Sequence, residues 1–108
     1  MEELSLHILD IVENSVSAGA TLVVIRIEYR FGEKPWLTIT VRDNGRGMSP
    51  EVAGRVSDPF YTTRTTRKVG LGTALFRQTA ELAGGSFRVW SEPGKGTEVT
   101  AELNPLHL

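Results

Sequence analysis

Asp10 and Asn14, four residues apart, are the first pair in this chain able to do chemistry together. On a helix that spacing is close to one turn, so both side chains reach the same point beyond it. A carboxylate beside an amide oxygen suits one Mg²⁺, through direct contact or a bridging water. The same carboxylate can orient a nucleophile toward a phosphoryl group. The pair belongs to a stripe, Glu3, His7, Asp10, Asn14 and Ser17, that falls within roughly 80° of the helix circumference. Taken alone, the stripe reads equally well as a solvated face. Its oxygen-rich, short side chains, without Lys or Arg, weigh toward a site.

A second carboxylate stands at the end of a strand. Asp43 shares alternation parity with Leu37, Ile39 and Val41, which places it on the inward face. A carboxylate there is costly unless something donates hydrogen bonds to it. Asn44-Gly45-Arg46-Gly47-Met48 follows, and two glycines let the backbone approach a neighbour closely. Asp43 is then either a turn cap or a buried acceptor for a donor such as the exocyclic amine of a base. Thr97 has the parity of Val99, Ala101 and Leu103, so its hydroxyl also faces inward at a strand start. Two inward polar groups at strand ends outline a base pocket.

Residues 58–79 carry Arg64, Arg67, Lys68 and Arg77 against a single acid, Asp58. Thr62, Thr63, Thr65 and Thr66 lie among them, and Gly70-Leu71-Gly72 leads into a helix. Free N–H groups and the positive dipole end at a helix start favour an anion. A basic loop alone reads as a solvated segment; feeding a helix start, it reads as a polyphosphate clamp. The familiar phosphate loops are absent. Gly94-Lys95-Gly96-Thr97 lacks the earlier glycine of a P-loop, and Gly70-Leu71-Gly72 continues Thr73-Ala74-Leu75, which fails the dinucleotide fingerprint.

These groups need a scaffold, and the periodicity supplies one. Leu4, Ile8, Ile11, Val12 and Val16 predict an amphipathic helix over 3–18, ended by Gly19. From Leu22 to Arg30 the period becomes two, with Val23, Ile25, Ile27 and Tyr29 sharing a face. A turn at Gly32 to Pro35 leads to a second strand, Leu37 to Asp43. Asn44 to Gly72 is a long segment rich in Gly, Ser, Thr, Asp and Pro, with one short helix near 50–56. Loops of that length in a small domain are commonly functional. A helix from Thr73 to about Ala83 closes at Gly84-Gly85. Strands Ser86 to Ser91 and Thr97 to Leu103 finish the chain around Pro93-Gly94-Lys95-Gly96. The order predicts an α+β, two-layer α/β sandwich whose sheet is covered by helices on one face. Trp36 and Trp90 have parity opposite to the core residues, which predicts either a pair of exposed docking residues or ordinary partial burial.

Bulk properties bound the answer further. At 108 residues and 40% apolar, the chain fits a single domain, 1–108, with a small core. A net charge of −1 gives no global field for nucleic acid or an anionic membrane. The absence of cysteine excludes disulfides, thiolate nucleophiles and cysteine zinc sites. His7 and His107 lack metal-ligand spacing; His7 is expected to have a structural or polar-stripe role and His107 to lie in the tail. The longest apolar run, Leu22 to Ile25, cannot span a bilayer, and the acidic Met1-Glu2-Glu3 is unlike a signal peptide. A cytoplasmic domain without direct membrane insertion is expected.

Taken in order, these pieces resemble the ATP-binding superfamily of histidine kinases, DNA gyrase B, MutL-type repair proteins and heat-shock chaperones, with its Bergerat fold. Asp10 to Asn14 with Ala18 resembles its N box, and Asp43 to Met48 its first glycine box. Asp58-Pro59-Phe60-Tyr61-Thr62-Thr63 resembles the phenylalanine box and Gly70-Leu71-Gly72 the second glycine box. The tail from Gly84-Gly85 to Thr97 looks closest to the histidine-kinase branch. The resemblance implies a mixed sheet and a lid over about 57–71. It implies ATP and Mg²⁺ as cofactors, with Mg²⁺ on Asn14 (and Asp10 through water) and the adenine amine on Asp43. Ala18, Gly45, Gly47, Met48 and Thr97 would border or assist the base. Phe60, Thr62, Thr63, Lys68, Gly70, Leu71 and Gly72 would serve the lid and phosphates. Asp10 and Asn14 would be the catalytic pair.

Three departures stand out. Asp10 is a shorter aspartate where hydrolysing branches have a glutamate base, which argues against efficient water activation. Lys68 replaces a usual glycine and Thr73 a usual leucine. The resemblance implies transfer of the γ-phosphoryl group to a histidine on another domain or chain, within a response-regulator pathway. Its alternatives are an anti-sigma-factor-type serine kinase, a non-catalytic ATP-sensing subunit, and a hydrolysing ATPase module, against which Asp10 argues.

Overall fold

The computed structural model describes residues 2–47 and 68–107, with side chains for 3–47 and 73–107. Helix α1 (Glu2–Ser17) precedes the hairpin β1 (Val23–Arg30) and β2 (Trp36–Asp43). Helix α2 (Lys68–Leu82) leads to a second hairpin, β3 (Ser86–Glu92) and β4 (Gly96–Leu103). A short 3₁₀ turn, Pro105–His107, ends the described chain and carries the exposed His107 of the expected tail.

Both long helices end as their glycines require. Gly19 has φ 80°, its N–H donates to the Val16 carbonyl, and Ala20 N–H reaches back five residues to Ser15. Gly84 has φ 78° and Gly85 N–H reaches back to Ala80. These five-residue closures satisfy carbonyls that the last helical turn leaves open.

Among the described residues the sheet order is β1-β2-β4-β3, and every pairing is antiparallel. This corrects the expected mixed sheet. Strands β2 and β3, on either side of the α2 crossover, do run in the same direction. β4 inserts between them, so no parallel neighbours share hydrogen bonds. The two-layer α+β architecture itself is as expected.

Leu37, Ile39 and Val41 of β2 and Val99, Ala101 and Leu103 of β4 form the sheet side of the core. Leu4 and Ile11 of α1 and Phe76, Ala80 and Ala83 of α2 cover them. The predicted parity of β2 and β4 is therefore met. β1 differs: Ile25, Ile27 and Tyr29 lie on the helix-side face, opposite Val41, Ile39 and Leu37, yet are exposed. Helix α1 packs on β2 and α2, and α2 packs on β3 and β4, so neither helix covers the β1 edge.

The two tryptophans also differ from the expected pair. Trp90 is exposed and Trp36 half-buried. β4 separates their strands. Trp90 lies opposite Glu98, whereas Trp36 lies beyond the Leu37–Leu103 pair at the other end of the sheet. Roughly 20 Å of strand separates them along the sheet, too far for one small patch.

Candidate functional site

Ser15 is the hinge of the site, and sequence periodicity did not mark it. It occupies the core face of α1 and is 2% exposed. Its hydroxyl donates to Asp43 Oδ2 at 2.7 Å, with the Ile11 carbonyl at 3.1 Å as a second acceptor. Asp43 Oδ1 accepts the Gly45 N–H at 2.8 Å. The carboxylate is thus half-buried, held by one donor per oxygen, and each oxygen retains acceptor capacity. Both readings of Asp43 meet in one residue, a turn cap through Gly45 and an inward acceptor. A polar residue on an apolar helix face four positions from Ile11 was the available signal for Ser15.

Thr97 lies directly across from Asp43 in the β2–β4 register. Facing residues in an antiparallel pair have Cβ atoms about 4.5–5.5 Å apart. Ser91, 7% exposed, donates to the Gly96 carbonyl at 2.9 Å and stands 2.7 Å from Thr97 Oγ1. A carbonyl only accepts, so the single Ser91 proton goes there and Thr97 donates to Ser91. That relay turns the Thr97 oxygen into an acceptor beside Asp43. Ser91 was likewise not singled out from sequence.

The loop after β2 is tied to the end of α1. Arg46 N–H donates to the Ala18 carbonyl at 2.9 Å, and Arg46 Nη2 to the Ser17 carbonyl at 2.7 Å. Asn44 Oδ1 accepts from Thr21 and Leu22 N–H, and its Nδ2 donates to Thr21 Oγ1. A Cβ at Gly45 would sit 2.9 Å from the Ala18 carbonyl oxygen and 3.1 Å from Asp43 Oδ1. At Gly47, where φ is 73°, it would collide with the Glu92 carbonyl of the second hairpin. Backbone packing alone therefore requires both glycines. Gly45 lies between Ala18 and the Asp43 carboxylate, while Gly47 lies against Glu92.

Asn14, next to Ser15 on α1, faces the other helix. Its Nδ2 donates to Thr73 Oγ1 at 3.3 Å, and Thr73 is buried. The threonine in place of the family's leucine thus has a partner, and the hydrogen bond orients the amide. Asp10 is half-buried one turn earlier. Neighbouring residues of one helix, Ser15 and Asn14, consequently link the strand-end carboxylate to the start of α2.

Helix α2 begins five residues earlier than expected. Residues 68–71, assigned to the lid, lie in its first turn, and Gly70-Leu71-Gly72 falls within the helix. Glycine costs least there, because the first four N–H groups lack intrahelical partners in any case. The N–H groups without intrahelical partners are then those of residues 68–71, including Gly70 and Leu71. Arg77, two turns on, pairs with Glu81 at 3.3 Å. Met48, Phe60, Thr62 and Thr63, the helix expected near 50–56 and lid residues 57–67 lie outside the described residues.

His7 has the structural role expected of it. Its Nε2 lies 2.8 Å from Thr79 Oγ1, and its ring stacks on Phe76 at 5.1 Å. Burial lowers its pKa below the ordinary 6.5, against the raising influence of Asp10 and then Glu3.

Among the described residues no cluster of three or more His, Cys, Asp or Glu side chains could hold a metal. Mg²⁺ does not require one, since it is commonly held by one or two protein oxygens with substrate phosphates and water completing the shell. Asn14 and Asp10 fit that pattern.

A family model described as histidine kinase-, DNA gyrase B- and HSP90-like ATPase matches residues 2–107. The chain belongs to this family. It is 33% identical over 81 residues to the sensor histidine kinase DcuS of Escherichia coli K12, covering 75% of this chain and 14% of that protein. To the sensor-like histidine kinase SenX3 of Mycobacterium tuberculosis H37Rv it is 37% identical over 75 residues, 65% of this chain and 18% of SenX3. ZraS of Salmonella typhimurium LT2, another sensor histidine kinase, matches at 29% over 102 residues, 94% of this chain and 22% of ZraS. The chain thus spans about a seventh to a fifth of the length of these ATPase-family relatives. The crystal structure of full-length ShkA in complex with AMPPNP superposes with a TM-score of 0.67 at 24% identity, over 94% of this chain and 21% of that one. That likeness supports the fold. No helix among the described residues is long and apolar enough to cross a membrane.

Proposed function

We propose that this histidine-kinase-type ATPase domain binds ATP with Mg²⁺ and passes the γ-phosphoryl group to a histidine on another domain or chain. The observation that carries the reading is the Ser15–Asp43–Gly45 arrangement. It is a half-buried carboxylate with both oxygens oriented and acceptor capacity left over, facing Thr97 at the strand ends. Such a group matches the exocyclic amine of adenine, and an oriented Thr97 oxygen adds an acceptor beside it. The triphosphate then runs along α1 toward Asn14 and the unpaired N–H groups at the start of α2. Lys68, Gly70, Leu71 and Gly72 stand there; the family resemblance assigns Phe60, Thr62 and Thr63 to the lid and Met48 to the adenine side.

Bound Mg²⁺ would neutralise charge on the β- and γ-phosphate oxygens. The protein's own contribution is positioning. Asn14 orients the phosphates, the helix start offers N–H donors to the charge that develops, and Asp10 orients the incoming imidazole. In transfer, the acceptor nitrogen forms a bond to the γ-phosphorus as the bond to the β–γ bridging oxygen breaks, and ADP leaves with that electron pair. Asp10 is too short a base to favour water over a docked acceptor. The domain is single, 1–108, with a lid over about 57–71 whose last residues form the first turn of α2; a phosphoacceptor domain supplied in trans and a cytoplasmic setting complete the reading.

Isothermal titration with ATP, GTP and ADP tests the site. Asp43→Asn should weaken ATP by about tenfold or more while leaving free triphosphate little changed, since one hydrogen bond to a charged acceptor is at stake. Asn14→Ala should abolish the Mg²⁺-dependent part of binding. Equal affinity for ATP and GTP would contradict the assignment of Asp43. Incubation of a candidate acceptor with γ-labelled ATP then reads the chemistry: an acid-labile product marks phosphohistidine, and an acid-stable one would replace the histidine with serine.

A further inference from the structure

The edge strand β1 holds a feature the nucleotide reading does not use. Ile25, Ile27 and Tyr29 are 46%, 59% and 43% exposed on the helix-side face, and Phe31 just beyond the strand is 84% exposed against the Tyr29 ring. Leu9, Val12 and Val16 lie on the flank of α1 opposite to His7 and Asn14. Those two residues face α2, so this flank overlooks the β1 side. Exposed apolar side chains of β1 and of this α1 flank (Leu9, Val16) are left without cover. Edge strands normally discourage pairing with prolines or inward-pointing charges. β1 has neither; its charges, Arg26, Glu28 and Arg30, all lie on the opposite face.

We infer that β1 pairs edge to edge with β1 of a second copy of this chain, antiparallel and centred on Ile27. In that register the helix-side face brings Ile27 against Ile27 of the partner subunit, Ile25 against the partner's Tyr29, and Val23 against the partner's Phe31. Every one of these cross-strand pairs is apolar. On the outer face Arg26 meets the partner's Glu28, and Glu28 meets the partner's Arg26. Within one chain those two side chains lie 3.9 Å apart, and across to β2 they face Thr40 and Thr38.

Charge selects this register over its neighbours. Centring on Arg26 would oppose two arginines, and centring on Glu28 would oppose two glutamates and set Arg26 against the partner's Arg30. A shift that mixes parities would bury charges against the apolar row. Like charges directly opposite are destabilising, whereas opposite charges and aromatic–aliphatic pairs stabilise. The product is an isologous dimer with one eight-stranded antiparallel sheet, whose seam the two α1 flanks overhang. This inference does not rest on the nucleotide reading, although the seam ends at Val23, the cross-strand partner of Asp43.

Sedimentation equilibrium of the full chain across a concentration series tests it, with no nucleotide present. The mass should rise from 11.9 kDa toward twice that value. Glu28→Arg, which opposes arginines on both sides of the seam, should raise the dimer dissociation constant by about tenfold or more. The double exchange Arg26→Glu with Glu28→Arg restores complementarity and should return the constant close to wild type, which also shows that the variants fold. Ile27→Asp, placing two carboxylates on the twofold axis, should leave only monomer. A wild-type chain that remains at 11.9 kDa up to about 1 mM would overturn the inference. So would a dimer indifferent to Glu28→Arg, which would place the interface elsewhere and leave these apolar side chains to another kind of occupant.

Discussion

Asp43 is well placed because two residues with no chemistry of their own hold it there. The Ser15 hydroxyl and the Gly45 N–H each engage one carboxylate oxygen, which fixes the plane of the carboxylate. Ser15→Ala removes the buried donor without creating a large cavity. It should lower stability by about 1–3 kcal/mol, the cost of a lost charge-assisted hydrogen bond. ATP affinity should drop by about tenfold, with free triphosphate hardly affected. Urea unfolding and calorimetric titration read the two effects separately. A proportionate loss for both ligands would mean that Ser15 supports α1 instead of orienting Asp43. Thr73 illustrates the same principle at the other end of the site. It breaks the family's leucine pattern, and its hydroxyl is what meets Asn14.

At the scale of elements, the joint between α1 and α2 is polar as well as apolar. His7 bridges to Thr79 and stacks on the core residue Phe76. Burial disfavours its charged form, so its folded pKa lies below the unfolded 6.5. The unfolded chain therefore takes up the proton first as pH falls. The His7 contribution to stability is fully present above about pH 6.5 and is lost as pH drops through the folded value. His7→Gln, which keeps a hydrogen-bonding group but cannot titrate, should flatten the fall in stability between about pH 7 and pH 5. Thermal melts across that range provide the check; an unchanged slope would assign the acid sensitivity to other groups. Because the same helices carry Asn14 and Thr73, loosening this joint should weaken nucleotide binding along with stability.

For the whole molecule, the proposed ligand touches the sheet ends, α1 and the start of α2, so binding must stabilise the domain as a unit. At a free concentration of Mg²⁺·ATP one hundred times its dissociation constant, linkage adds about 2.7 kcal/mol. For a domain of this size that corresponds to a rise in Tm of roughly 10–20 °C. Chelating the metal with EDTA should remove most of the rise, and GTP at the same concentration should give much less. A rise that survives both changes would mean a ligand held by its phosphates alone. The uncovered β1 edge belongs to this scale too, since only the placement of both helices leaves that strand open.

Much of this protein was legible residue by residue. Period-two and period-3.6 patterns located the helices and strands, parity turned Asp43 and Thr97 inward, and Gly19 and Gly84-Gly85 marked the helix ends. These features are local and depend on a few neighbours along the chain. Other features depend on what lies beside them in space. Parity put Ile25, Ile27 and Tyr29 on the core side, but only the position of α1 over β2 decided that they stay exposed. The parallel course of β2 and β3 follows from the crossover helix, yet insertion of β4 made every pairing antiparallel. Ser15 and Ser91 became parts of the site only when folding brought residues 28 and 6 positions away within hydrogen-bond reach. Sequence periodicity reports which face a side chain takes; the neighbours across that face come from packing, and packing decided what the polar residues do.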